Sequence, residues 1–327
     1  MVHKIRWGIL ATGGIAATFA EDLKLLPDAE ITAVGSRTLE AAQAFAGRFD
    51  IPRAYGSWDE LAADPDVDVI YVATPHSAHH RATRICLDAG KAVLCEKAFT
   101  INAAEAEDLV SRARDRGLFL MEAMWTRFNP AVRRIVSLVS DGAIGEPRVL
   151  ASDFGFVGPD DPTHRLRNPE LGGGALLDVG VYPVSFAHLF LGTPHSIASW
   201  ARLSPQGVDE TTGIVLGYES GALGVLSCSI VASQPVAAVI SGSQGRIEVP
   251  RFPRPDRFTL VIEGRDPETF EYSLEGHGYT YQAREVMRCL REGLTESPLM
   301  PWQATLEVMR TLDTIRAQIG VRYPSES

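Results

Sequence analysis

The tightest constraint on this chain is a rhythm in its first third. Five short apolar runs, Ile5–Leu10, Ala29–Gly35, Val67–Ala73, Lys91–Cys95 and Leu118–Met121, read as strands. They are nearly continuously apolar, as strands covered on both faces must be. Helical stretches separate them. One runs through Phe19, Leu23 and Leu26, a second covers Leu39–Phe49, and a third opens with Ser57 and Glu60 at capping-box spacing. A fourth runs from His79-His80 to Ala89-Gly90, and a fifth, capped by Asn102 with Glu105, runs to Arg116. Strand and helix in strict alternation predict right-handed crossovers and a doubly wound parallel sheet.

The first strand–helix joint is Ala11-Thr12-Gly13-Gly14-Ile15-Ala16. It has the spacing of a dinucleotide-binding turn with alanine at two of the three glycine positions. Gly13 sits where backbone must approach a phosphate, and the last position accepts alanine because it only sets helix–strand packing. Ala11 is the weaker fit, since the first glycine serves the tight turn. By itself the joint is equally an ordinary strand–turn–helix. As a cofactor site, Ala11 to Ile15 would present N–H groups to a pyrophosphate. The second strand ends in Ser36-Arg37, where folds that prefer NAD usually carry an acid for the ribose 2′-OH. A hydroxyl and a guanidinium suit a 2′-phosphate, which favours NADP(H) over NAD(H). Ligands of open α/β sheets bind beyond the carboxyl ends of strands. That places Thr74, Pro75, His76 and His79, and then Glu96 and Lys97, beside the cofactor.

After Glu122 the rhythm breaks. A helix at Pro130–Asp141, a Gly/Pro-rich stretch at Gly155–Gly174 and a helix at Val181–Leu191 precede a series of strands. These are Ser196–Leu203, Gly213–Tyr218, Ala222–Ile230, Val236–Ser241, Arg246–Val249, Phe258–Ile262 and Thr269–Tyr272. Strands without intervening helices predict a large, mostly antiparallel sheet. Helices at Tyr279–Glu292 and Trp302–Ile319 close the chain. We therefore expect a Rossmann domain over residues 1–123 and an α+β domain over 124–327, with helix 302–319 packing back on the first.

Composition narrows the partners. Net charge is −10, which disfavours nucleic acid and anionic membrane. No apolar run approaches the roughly 20 residues that a membrane span needs. The four cysteines form no CxxC and the eight histidines no ligand spacing, so no metal is expected. Scattered reduced thiols, and a first strand so near the first residue that a signal peptide has no room, suggest a cytoplasmic protein.

These motifs resemble the Gfo/Idh/MocA oxidoreductase family over essentially the whole chain. The resemblance rests on the Ala11 to Ala16 turn, Ser36-Arg37, Ala73 to His79, Ala89 to Lys97 and Gly172 to Tyr182, with Glu96-Lys97 the most specific mark. Glu122 to Phe128 and the tyrosine of Asp178-Val179-Gly180-Val181-Tyr182 are similar to one branch. That branch holds dimeric dihydrodiol dehydrogenases, NADP-dependent D-xylose dehydrogenases and glucose–fructose oxidoreductase. The resemblance implies hydride transfer between NADP(H) and a secondary alcohol or ketone of an aldose, cyclic polyol or trans-dihydrodiol. It also implies a homodimer or homotetramer formed through the second-domain sheet. Two positions depart from the pattern. Ala98 replaces the proline after Glu-Lys, whose preceding bond is often cis, and Ala41 replaces a second arginine.

The same resemblance implies site roles. Tyr182 would carry the proton of the substrate oxygen. A free tyrosine titrates near pKa ~10, and an ammonium such as Lys97 would favour the phenolate. Asp178, four residues before Tyr182, would share its helical face and orient Lys97 or the substrate. Trp125 and Phe154 match pocket positions, Arg127 lies in the branch motif, Arg165 and Asn168 precede the glycine run, and Tyr279 opens the penultimate helix. Each is a substrate-site candidate. Two alternatives stay open: a non-catalytic NADP(H)-binding sensor, and a sugar–sugar oxidoreductase that holds NADP tightly.

Overall fold

The computed structural model describes residues 4–326, which divide into two compact units. The first comprises residues 4–100, Ala104–Trp125 and Leu274–Thr305, and the second Ile101–Ala103, Thr126–Ser273 and residues 306–326.

In the first unit, strands β1 (Ile5–Leu10), β2 (Ala29–Gly35), β3 (Arg53–Tyr55), β4 (Val69–Val72), β5 (Ala92–Glu96) and β6 (Leu120–Ala123) alternate with helices. The helices are α1 (Gly14–Leu23), α2 (Leu39–Phe49), α3 (Trp58–Ala62), α4 (His76–Asp88) and α5 (Ala103–Arg116). The sheet order is β3-β2-β1-β4-β5-β6, and every neighbouring pair is parallel. This is the expected doubly wound sheet. Thr38 and Ser57 cap α2 and α3 with their hydroxyls. Phe19 of α1 stacks on Tyr71 of β4 at 3.9 Å and meets Trp7 of β1 edge-on at 5.5 Å. All three are fully buried, each contributing about 1.5–3 kcal/mol by leaving water. Helix α4 starts at His76, earlier than expected, and β3 was not anticipated.

The second unit carries α6 (Pro130–Ser140), β7 (Pro147–Gly155), α7 (Val181–Leu191) and strands β8 (Ser196–Leu203), β9 (Asp209–Gly217) and β10 (Leu223–Ser229). Strands β11 (Ala237–Gly242), β12 (Gly245–Pro250), β13 (Arg257–Ile262) and β14 (Glu268–Glu271) follow. The sheet order is β14-β13-β12-β11-β7-β10-β9-β8. All pairs are antiparallel except β7 with β10. Strand β7 lies near the middle of this sheet, yet nothing in the sequence marked it. Ile214 and Leu216 of β9 and Leu226 of β10 are buried, whereas the alternate residues Val215, Leu223 and Val225 are exposed, so one face is covered and the other open.

Helices α8 (Thr280–Arg291) and α9 (Trp302–Ile319) complete the chain. Segment Leu274–Thr305 groups with the first unit, which departs from a single boundary at 123/124. Trp302 Nε1 donates to the Leu120 carbonyl at 2.8 Å, and Thr305 donates to Glu122 at 2.9 Å. One expectation on apolar runs is corrected. Pro169–Leu191 has the length and mean hydropathy (1.4) of a membrane span, but 83% of its apolar window is buried inside the protein. Its apolarity is that of a core helix.

Candidate functional site

In the first unit the candidate nucleotide end is built from β1, α1 and the loops after β2, β4 and β5. Gly13 caps α1 with no side-chain bond to its first-turn N–H groups. A Cβ at Gly13 or Gly14 would meet nothing within 4 Å, so open space faces those donors. A helix N-terminus with free donors and a Cβ-less approach fits a pyrophosphate. Ala11 has φ +102, the left-handed side that favours glycine, and its N–H donates to the Gly35 carbonyl at 2.9 Å. The residue that fitted the motif least is therefore the strained one. Such strain costs about 1–3 kcal/mol, more than the 0.4–1 kcal/mol of chain entropy that glycine would add, roughly. Ala11→Gly is expected to raise the thermal midpoint by about 1–3 °C, checked by calorimetry. A fall would mean that the turn tolerates alanine without strain.

Strand β2 ends in buried Ser36 and exposed Arg37. Among the described residues, nothing pairs with the Arg37 guanidinium. Beyond β4, the Thr74 hydroxyl oxygen is buried without a hydrogen-bond partner, an orphan that a bound polar ligand would satisfy. Pro75 is the N-cap of α4 and His76 its first residue. His79 contacts the Thr74 and Ala98 carbonyls, each at 2.8 Å. Its imidazole thus ties the turn after β4 to the turn after β5, and burial lowers its pKa below that of an ordinary histidine. Glu96 accepts the Tyr71 hydroxyl at 2.6 Å and the Lys97 N–H at 3.3 Å. The Lys97–Ala98 bond is cis, which answers the question raised by the missing proline.

The same unit brings Trp125 and Tyr279 together as a stacked pair, 4.6 Å between centroids and 21° between planes. Phe19 approaches the Tyr279 ring edge-on at 6.5 Å. No motif announces what holds Tyr279 there. Buried Asp22, in α1, accepts the N–H groups of His277 and Tyr279, both at 2.7 Å. An acid in the last turn of a helix opposes the macrodipole, and that local conflict is the signal that could have singled it out.

In the second unit Asp178 lies in a single π-helical turn, Leu176–Gly180, which runs directly into α7. The α-helical i,i+4 geometry expected for Asp178 and Tyr182 therefore does not hold across this turn, because π spacing is one residue longer. Asp178 is buried, and Arg165 donates to it at 2.6 Å. Tyr182, 7% exposed, packs on Phe154 of β7 at 5.4 Å. Arg127 is buried and directs its Nε at the Ser185 hydroxyl at 3.4 Å. Burial and this nearby guanidinium lower His188 to about 4. Arg127 is thus placed under α7, the helix of Tyr182. Asn168 spends its side chain capping the short helix Pro169–Leu171. Among the described residues no group of three or more His, Cys, Asp or Glu is placed to hold a metal ion.

Comparison with known proteins adds an independent line. Residues 5–124 match a family model described as "Oxidoreductase family, NAD-binding Rossmann fold". Residues 132–248 match the "GFO/IDH/MocA C-terminal domain". The mouse protein named trans-1,2-dihydrobenzene-1,2-diol dehydrogenase is 40% identical, over 98% of this chain and 99% of its own. The human protein of the same name is 39% identical at the same coverage. Among solved structures, a 3-ketoreductase from Actinomadura kijaniata, in complex with NADP and TDP-benzene, is 28% identical. It superposes with a TM-score of 0.87, covering 97% of this chain and 98% of that one. An aldose-aldose oxidoreductase from Caulobacter crescentus, complexed with glycerol, is 25% identical with a TM-score of 0.88, covering 97% of each chain.

Proposed function

Because this chain belongs to the Gfo/Idh/MocA oxidoreductases and carries their NAD(P)-binding Rossmann domain, we propose that it is an NADP(H)-dependent dehydrogenase or reductase. Its substrate is a secondary alcohol or ketone on an aldose, a cyclic polyol or a trans-dihydrodiol. The observation that carries this is the buried segment on which Tyr182 faces an aromatic ring and Asp178 is held by Arg165. The names of the relatives support the alcohol class. NADP over NAD is supported by exposed Arg37, with no acid beside it at the end of β2.

A bound nicotinamide supplies the hydride acceptor or donor. Thr12 to Ile15 would offer backbone N–H groups to its pyrophosphate from a turn shaped by Ala11, whose own N–H is held by Gly35; Ser36 and Arg37 would bind the 2′-phosphate, and Thr74 would offer its unpartnered hydroxyl. Pro75, His76, His79 and Glu96 shape the strand ends beside it. Tyr182 takes the proton of the substrate hydroxyl during oxidation and returns it during reduction. The Lys97 ammonium stabilises negative charge on that oxygen. Asp178 orients the hydroxyl, with Arg165 beside it. Trp125, Tyr279 and Phe154 offer aromatic faces to the carbon skeleton. Arg127 acts on this chemistry only through α7.

The open face of the second sheet supports a homodimer or homotetramer. Ala198, Val215, Val225 and Ala151 lie directly opposite one another across β8, β9, β10 and β7. Trp200 stands beside this row, 73% exposed. An apolar patch on a sheet fits a second copy of the chain. Four free, buried cysteines support a cytoplasmic setting.

The test is reduced-nicotinamide absorbance with NADP, or NAD beside it, and a panel of aldoses, inositols and trans-cyclic diols. Reduction of NADP by one class is the expected result. Silence across the panel, and across the matching ketones with NADPH, would overturn the assignment. A second reading, sugar–sugar hydride exchange with tightly held NADP, is favoured by the likeness to the aldose-aldose enzyme. It predicts that nicotinamide absorbance copurifies with the protein.

A further inference from the structure

We propose that Asp209 is a positioning residue for turnover, holding the helical segment of Asp178 and Tyr182 in its working geometry through Gly174 and Leu176. The inference rests on the roles assigned above to those two residues.

Asp209 is the first residue of β9 and has no solvent exposure. Its Oδ2 accepts the Leu176 N–H at 2.8 Å and the Thr212 hydroxyl at 2.7 Å. Leu176 is the first residue of the π turn. The Asp209 Oδ1 is buried and has no hydrogen-bond partner. A Cβ at Gly174 would fall 2.3 Å from that oxygen, and Gly174 has φ +116. The Gly174 carbonyl in turn accepts the Asp178 N–H at 3.3 Å. One carboxylate therefore meets the chain at Gly174 and Leu176, where it enters the turn that carries Asp178, and the backbone carries the constraint on to Tyr182.

A buried carboxylate with an unpartnered oxygen is costly, and a neutral amide would serve the Leu176 N–H at lower desolvation. Packing alone gives no reason to keep the charge. Burial pushes the Asp209 carboxyl up to about 6, and the cation that pulls the other way, Arg316 of α9, is already committed to Asp313 and Glu326. Tyr323, which lies within reach of the same charge, donates its hydroxyl to the Gly173 carbonyl at 2.7 Å. The glycine turn is thus held from two sides, by Asp209 at Gly174 and Leu176 and by Tyr323 at Gly173. Reacting groups displaced by an ångström lose large factors in rate, so a turn held this closely is a route by which Asp209 controls turnover.

The experiment is a double-mutant cycle on the full-length protein. Asp209→Asn and Thr212→Val are made alone and in combination with Tyr182→Phe. Turnover, KM and NADPH affinity by fluorescence titration are measured on each. Asp209→Asn is expected to lower kcat about tenfold or more, with NADPH affinity changed less than about twofold. Thr212→Val, which removes one bond to Oδ2 and keeps the charge, is expected to lower kcat about threefold. In the Tyr182→Phe background the effect of Asp209→Asn shrinks below about twofold, because coupled residues are not additive. Equal losses in both backgrounds would overturn the proposal. So would an unfolded Asp209→Asn together with normal turnover in Thr212→Val. If Tyr182→Phe alone leaves turnover intact, the acid–base assignment has failed instead, and the same cycle is read against Asp178→Asn.

Discussion

Tyr182→Phe is expected to lower kcat by about two orders of magnitude or more, because positioned acid–base groups contribute roughly 10²–10⁴-fold. The substitution removes one hydroxyl and keeps the ring that packs on Phe154 at 5.4 Å. The apolar contact therefore survives, and the thermal midpoint is expected to stay within about 2 °C of the parent. NADPH affinity, measured by fluorescence titration, is expected to be unchanged. The competing account makes Tyr182 an aromatic wedge between α7 and β7. That account predicts normal turnover in the variant, and normal turnover would remove Tyr182 from the mechanism.

Arg37→Ala is expected to weaken NADPH about 10–100-fold and NADH less than about twofold. The estimate follows from the roughly 1.5–3 kcal/mol of a hydrogen bond to a charged group. Arg37 is exposed and paired with nothing described in the protein, so the change leaves folding untouched. Thr38 still caps α2 through its own hydroxyl, at 3.3 Å from the Ala41 N–H. No other Lys or Arg lies between Ser36 and Ala41, so Arg37 is the single cation of this loop and the effect is not buffered. Equal losses for both nucleotides would show that Arg37 reads no 2′-phosphate.

The first sheet was legible because a parallel strand is apolar on both faces and ends at a glycine or proline, as Val69–Val72 does before Pro75. The short edge strand β3 escaped because Arg53-Ala54-Tyr55 has no run long enough to show a period. Strand β7 escaped for another reason. Its neighbours in space, β10 and β11, lie far along the chain, and local pattern carries no trace of a distant partner. Strands β9 to β13 alternate between covered and open faces, so they could be read. Among the candidate site residues, Lys97, Asp178 and Tyr182 stand out by motif. Asp22 and Asp209 were not, because each acts on backbone N–H groups that only the fold brings to it. Ala11 was marked by its mismatch to a glycine position, and its positive φ is the physical form of that mismatch.

The segment Leu274–Thr305 belongs to the first unit although it follows nearly all of the second. On a ribosome, β1 to β6 emerge complete roughly 180 residues before Thr305 does. At about 5–20 residues per second that interval is roughly 10–35 s. For most of it, the Asp22 carboxylate waits for His277 and Tyr279, and the Leu120 carbonyl for Trp302. The nascent Rossmann sheet therefore spends most of the synthesis of the other unit without its last pieces. A stop codon anywhere before residue 305 leaves both halves, not just the second, unfinished.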